Sequence, residues 1–156
     1  MRRVYIRPAK IDDLEEIKRL EDLSFQYPYT REFLLYLLKY CELFFVAELE
    51  TKDNIKIVGY VYGKIERACR GIVGHVFSIA VDPKYRRRGV GKMLMERIID
   101  GFKKLCVAYV YLECRISNVA AQRFYESLGF LRVGIVRKYY QNGEDAVIYK
   151  KDLLCE

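Results

Sequence analysis

The stretch from Val73 to Leu105 sets the terms for the rest of the chain. It opens as a β-branched, alternating run, breaks at Asp82-Pro83, passes through Arg86-Arg87-Arg88-Gly89-Val90-Gly91 and continues as an amphipathic helix. On that helix Val90, Leu94, Ile98, Phe102 and Leu105 share the side expected to be buried, while Lys92, Glu96, Asp100 and Lys103 face outward. A strand feeding a Gly-rich, basic turn at a helix start is a device for holding phosphate. The first amides of the helix have no intrahelical acceptor, and the helix dipole adds partial positive charge beside them.

The flanking segments alternate between both periodicities. Val4 to Arg7 reads as a short strand ended by Pro8, and Ile11, Leu14, Ile17 and Leu20 recur at helical spacing behind the acids Asp12, Asp13, Glu15 and Glu16. Phe25 to Tyr29 interrupts this helix; Thr30 caps the next, with Phe33, Leu34, Leu37 and Leu38 as its apolar face. Leu43 to Leu49 and Lys56 to Ile65 read as strands around a turn at Thr51 to Asn54, and the polar run Glu66 to Gly71 reads as a loop. Ala108 to Cys114 is a further strand, Ser117-Asn118 caps a helix carrying Ala120, Phe124 and Leu128, and Gly129 stops it. Phe130 to Val136 and Ala146 to Lys150 close the chain as strands around Asn142-Gly143. The expected architecture is α+β: one domain over residues 1–156, in the order β-α-α-β-β-β-α-β-α-β-β.

Composition excludes several classes. No apolar run approaches the roughly 20 residues that span a bilayer, and Met1-Arg2-Arg3 leads into a strand-like segment, so no membrane partner is expected and the location expected is the cytoplasm. Cys41, Cys69, Cys106, Cys114 and Cys155 are scattered, form no C-x-x-C pair and have only His75 for company, so neither a metal site nor a disulfide framework is expected; the thiols read as buried or incidental. The net charge of +7 favours an anionic partner, be it nucleic acid, acidic peptide or phosphorylated cofactor, and Lys84, Arg86, Arg87, Arg88 and Lys92 crowd one turn.

Three phosphate patterns compete for that turn. A P-loop needs Ser or Thr where Met93 stands and Gly where Arg86 stands, and a dinucleotide fingerprint needs a third Gly where Leu94 stands. What fits is Gln/Arg-x-x-Gly-x-Gly/Ala after a strand, met by Arg86, Gly89 and Gly91, with the glycines letting backbone approach an oxygen-rich group and the amides of Arg87 to Lys92 forming the cradle. Together with "SIAVDPKYRRRGVGKMLM", "YLECRISNVAAQRFYESLGF" and "VRKYYQNGEDAVIY", this resembles the GNAT superfamily of N-acetyltransferases. Within it the chain is most similar to protein amino-terminal acetyltransferases, of the ribosomal-protein alanine (RimI-like) and archaeal Ard1-like kinds.

The resemblance implies a GNAT fold, with a mixed, mostly antiparallel central sheet flanked by helices, and acetyl-CoA as cosubstrate with no metal. It implies that Arg86, Arg87, Arg88, Gly89, Val90, Gly91 and Lys92 hold the pyrophosphate, that Ile79, Ala80 and Val81 pair with the pantetheine arm, and that Asn118 contacts the cofactor. It makes Glu113 the general base, Tyr125 the acid that protonates the thiolate, and His75 an auxiliary proton carrier. Tyr27, Tyr29, Tyr139 and Tyr140 would frame the peptide. From the residues alone Glu113 reads first as a strand-end carboxylate facing water and His75 as a structural histidine, with Tyr125 a core aromatic and the Arg side chains a solvated basic corner as the alternatives. The reaction implied is acetylation of protein or peptide N-termini, with ribosome association and without DNA. A lysine side chain or a small amine as acceptor, or a basic nucleic-acid-binding module, are the rival readings.

Overall fold

The computed structural model describes residues 3–155; Met1, Arg2 and Glu156, which the expected span of 1–156 and its opening residues include, lie outside the described residues. Seven strands and four helices follow one another in the expected order: β1 (Arg3–Pro8), α1 (Leu14–Ser24), α2 (Arg31–Tyr40), β2 (Leu43–Glu50), β3 (Ile55–Ala68), β4 (Gly71–Val81), α3 (Val90–Lys104), β5 (Tyr109–Arg115), α4 (Val119–Ser127), β6 (Leu131–Val136) and β7 (Ala146–Asp152). Neighbouring strands hydrogen-bond in the order β1-β2-β3-β4-β5-β7-β6. The chain divides into two compact units, Met1–Lys64 with Ser78–Gly101, and Ile65–Phe77 with Phe102–Glu156.

In the first unit β1 runs antiparallel to β2 from Arg3↔Glu50 to Pro8↔Phe45, and β2 antiparallel to β3 from Leu43↔Gly63 to Glu50↔Ile55. The periodicity of α1 and α2 places Leu14, Ile17, Leu20, Leu34 and Leu37 in one core with Phe44, Val46, Ile57, Tyr60 and Tyr62. Truncating one of these closed-in leucines to Ala costs about 2–5 kcal/mol. Two expected core positions are instead exposed, because Ile11 falls in a 3-10 turn ahead of α1 and Phe33 stacks on Tyr36 along the outer side of α2. Asp13 does more than face a helix dipole: its carboxylate takes both terminal nitrogens of Arg7 at 2.8 Å and the Lys10 amide at 2.9 Å.

The 25–30 segment is tied down from inside. Buried Glu21 accepts from the Tyr60 hydroxyl and, at 3.0 Å, from the Tyr29 amide. Burial pushes the Glu21 carboxyl up, against the pull of those hydrogen bonds. Thr30 caps α2 by accepting from the Phe33 amide at 3.2 Å, as its position predicts.

In the second unit β4 pairs in parallel with β5 at Gly74↔Val110 and His75↔Tyr111, β5 runs antiparallel to β7, and β7 antiparallel to β6. Alternation along β5 turns Val110, Leu112 and Cys114 to a buried face and Tyr109, Tyr111, Glu113 and Arg115 to the other. Asn118 caps α4 by accepting from the Ala121 amide at 3.1 Å, and Gly129 takes a left-handed φ of 88°. Here too the sequence pattern needs correcting. On α4 Tyr125 is the buried residue and Ala120 is exposed, while Leu105 lies past the end of α3 and is also exposed.

Two further corrections bear on chemistry. The run from Glu66 is not a loop: β3 continues to Ala68, so Glu66 is a strand residue. The cysteines are not all incidental thiols, because Cys106 and Cys155 form a disulfide. Cys41, Cys69 and Cys114 are free, with burial pushing the Cys114 thiol up to about 11.

Candidate active site

The candidate phosphate cradle belongs to the first unit. Strand β4 ends at Val81 and the chain turns on Asp82, whose amide donates to Val58 O at 2.8 Å and whose carboxylate caps the turn by accepting from the Lys84 amide at 3.0 Å. Arg19 clamps the same carboxylate at 2.9 Å and reaches Ile57 O at 3.1 Å. Burial opposes the Asp82 charge, yet the Lys84 amide and the Arg19 guanidinium outweigh it and hold the carboxyl below the usual range. From this fixed point the backbone passes Arg87 at φ 62° and Gly89 at φ 83°, both left-handed. At Gly89 a Cβ would meet nothing within 4 Å, so glycine there answers a backbone need and leaves open space beside it.

The first α3 bond runs from the Met93 amide to Gly89 O at 3.0 Å. The amides of Val90, Gly91 and Lys92 precede it and have no acceptor within the helix. They lie within the Arg87 to Lys92 stretch expected to hold phosphate and make it a candidate anion cradle. The side chains divide their work: Arg86 Nε donates to Val81 O at 3.0 Å, Arg88 lies over the Tyr85 ring at 5.7 Å, and exposed Lys92 faces Glu96 at 3.9 Å. Ile79, Ala80 and Val81 stand at the strand end as expected, with Ala80 buried. The cradle fits a pyrophosphate, which asks for free amides, open space and positive charge.

The candidate proton-handling groups belong to the second unit. His75 is buried, with Glu113 Oε2 at 2.7 Å from Nε2 and Glu66 Oε1 at 2.7 Å from Nδ1. Glu66 Oε2 accepts from the Tyr111 hydroxyl at 2.5 Å, and the Tyr111 ring stacks on the imidazole at 4.2 Å. A carboxylate only accepts hydrogen bonds, so flanking both ring nitrogens with carboxylates favours the imidazolium. Burial works to lower the His75 pKa, but the hydrogen bonds to Glu113 and Glu66 outweigh it and raise it above the ordinary value. A cavity of about 350 Å³ opens beside this cluster, lined by Glu66, Tyr109, Tyr111, Val133, Ile148 and Lys150.

Tyr125 lies on the other face of β5. Leu112 pairs with Tyr149, which puts those two side chains on one face, and the Tyr125 ring packs on Tyr149 at 6.0 Å. Glu113 alternates to the opposite face of β5 from Leu112, yet its charge still reaches the Tyr125 phenol and adds to the rise that burial produces. Burial raises the Tyr125 phenol well above its ordinary value, so it stays protonated. Tyr139 and Tyr140 stand edge-to-face at 5.0 Å between β6 and β7, with Arg115 4.1 Å over the Tyr140 ring. In the first unit Tyr27 is exposed, and Tyr29 is half-buried against Phe33 at 4.9 Å.

Sequence reasoning missed Glu66 and Tyr111. The charges of Lys64, Glu66 and Arg67 hid the strand, but β4 is 11 residues long and needs a partner of matching length.

The sequence matches the family model described as "Acetyltransferase (GNAT) family" over residues 14–130, a span that draws on both units. The chain belongs to the GNAT family of acetyltransferases. An N-alpha-acetyltransferase of Sulfurisphaera tokodaii is 37% identical over 154 residues, covering 92% of this chain and 89% of that one. Among solved structures, a chain of the NatC complex bound to Gag peptide and CoA superposes with a TM-score of 0.86 at 27% identity, covering 97% of this chain and 99% of that one. The ribosomal-protein-S18-alanine N-acetyltransferase from Escherichia coli gives 0.76 at 31% identity, covering 96% and 94%. The GNAT fold, the acetyltransferase class and the acetyl-CoA cosubstrate expected from the motifs all stand. Among the described residues no group of three or more His, Cys, Asp or Glu side chains could hold a metal ion, and no helix is long and apolar enough to cross a membrane.

Proposed function

We propose that this GNAT acetyltransferase, one domain over residues 1–156, acetylates the N-terminal α-amino group of proteins by direct attack on acetyl-CoA. The observation that carries the reading is the Glu113–His75 pair at 2.7 Å, a half-buried carboxylate with a buried partner in a protein related to N-alpha-acetyltransferases. An α-amino group has a pKa of ~8 against ~10.4 for a lysine side chain, so a carboxylate acting through water suffices to take its proton at neutral pH.

Acetyl-CoA supplies the activated acyl group and a thiolate leaving group. The free amides of Val90, Gly91 and Lys92 bind its pyrophosphate, and the backbone at Ile79 to Val81 aligns its pantetheine arm, with Asn118 as a further contact. Glu113 accepts from His75 through Oε2, which leaves Oε1 to receive the amine proton. Tyr125, kept protonated by burial, donates to the leaving sulfur. Tyr27, Tyr29, Tyr139 and Tyr140 bind the first residues of the peptide. Ribosomal proteins are among the substrates this reading supports: a related enzyme is named for one, and a net charge of +7 favours contact with ribosomal RNA. The reading puts the reaction in the cytoplasm; among the described residues no helix is long and apolar enough to cross a membrane.

The test is a panel of peptides with free or blocked N-termini, incubated with purified protein and acetyl-CoA and read by mass spectrometry. Acetylation of free N-termini alone is expected. Activity surviving the block would move the acceptor to lysine, and no acetylation at all would overturn the reading.

A further inference from the structure

Glu66 is a charged residue inside a strand, and it spends both carboxylate oxygens on named partners. One takes His75 Nδ1 at 2.7 Å and the other the Tyr111 hydroxyl at 2.5 Å. Tyr111 in turn stacks on the imidazole at 4.2 Å and 19°, and Phe77 covers the ring at 4.0 Å. The ring plane, the tautomer and the direction of Nε2 are thus set by groups other than Glu113. Glu66 also lines the cavity of about 350 Å³ beside the cluster.

We propose that Glu66 is a positioning residue for acetyl transfer, holding a proton on His75 Nδ1 so that Nε2–H is aimed at Glu113 Oε2. The inference rests on the acetyltransferase reading for its consequence, and on geometry for its content. A neutral ring with its proton on Nδ1 would turn a lone pair toward Glu113; with carboxylates at both nitrogens the ring is held doubly protonated, and it then offers Glu113 only a donor. That donor fixes one carboxylate oxygen, leaving the other as the acceptor for the incoming amine. Charged and titratable groups facing His75 are Glu66 from β3 and Glu113 with Tyr111 from β5. No acid touches the reactants through Glu66 itself, so its effect passes through His75.

The chain has a single histidine, so long-range 15N–1H spectra report His75 without ambiguity. In the wild type both ring nitrogens are expected to carry protons at pH 7. In Glu66→Gln the affinity of His75 for its second proton is expected to fall about tenfold or more, leaving a neutral ring that no longer presents Glu113 with a donor alone. The kcat for peptide acetylation should fall with it, its pH profile moving by the same amount as the titration, while KM for acetyl-CoA holds. A folded Glu66→Gln protein with unchanged ring-nitrogen states, or with an unmoved pH profile, would overturn the proposal. Should Glu66→Gln not fold, the wild-type spectrum decides: an unprotonated Nδ1 at pH 7 refutes it and a doubly protonated ring supports it. A wild type that acetylates no N-terminus removes the proposed function but leaves the spectra to judge the positioning.

Discussion

A carboxylate serves as a base only if it stays ionised and only if a lone pair is left for the arriving proton. In the proposed reaction Glu113 meets the second condition by giving only Oε2 to His75. Replacing Glu113 with Gln keeps an acceptor for His75 and removes the base, so kcat for peptide acetylation should fall about 10²–10⁴-fold with KM for acetyl-CoA held. Adding Tyr125→Phe should lower it further; turnover near wild type in the double variant would refute both roles. The same cluster has a consequence for stability. A folded-state pKa raised above the unfolded value of about 6.5 gives stability that is complete below that pH and fades as pH rises through the folded value. Denaturant unfolding of the wild type and of His75→Gln should therefore differ most near pH 6 and least near pH 9. A gap that widens with pH would contradict the assignment.

Among the elements, the strand–turn–helix is where the chain is most legible. Its glycine spacing, the Asp82-Pro83 break and the 3.6-residue period of α3 are local properties, and the structure returns them as a left-handed Gly89 and a helix that buries Val90, Leu94 and Ile98. Gly89→Ala puts a side chain in open space but in a left-handed backbone, a strain of about 1–2 kcal/mol. We expect a small loss of thermal stability and a several-fold rise in KM for acetyl-CoA at nearly constant kcat, measured by unfolding and steady-state kinetics. Gly74→Ala is the contrast, since its Cβ would sit 2.7 Å from the Phe102 ring and damage packing instead. What local pattern could not show was membership. Ile11 keeps helical spacing with Leu14 but belongs to the 3-10 turn before α1 and stays exposed. Glu66 has the composition of a loop and the position of a strand; only pairing across a hairpin reveals the difference. The candidate site residues on β5 and α4 were proposed through motif resemblance, while Glu66, the His75 partner contributed by another strand, stayed illegible.

At the scale of the molecule, the disulfide is the feature that residue counting obscured. Five scattered cysteines suggest free thiols, because sequence spacing says nothing of which ends meet. The antiparallel register of β5 on β7 does say it. Tyr109 lies opposite Asp152, and carrying that register three residues outward sets Cys106 against Cys155. The Leu153 amide reaches Ala108 O at 3.1 Å, and the two Cα atoms stand 4.8 Å apart, within the range that a disulfide spans. The bond closes a loop with a sequence separation of 49 around β5, α4, β6 and β7. Restricting the unfolded chain over a loop of that size is worth about 4 kcal/mol in the chain-entropy account, with typical values of about 2–4. Cys155→Ser, or reductant added to the wild type, should lower the unfolding midpoint accordingly while leaving the Glu66–His75–Glu113 cluster and the acetyl-CoA cradle formed. The thiol count gives the independent check. Unreduced protein denatured at acid pH, where thiol exchange is arrested, should titrate three free thiols, and reduced protein five. Five thiols without reductant, or a midpoint indifferent to reduction, would show that the C-terminal segment is held by the Tyr109↔Asp152 register alone.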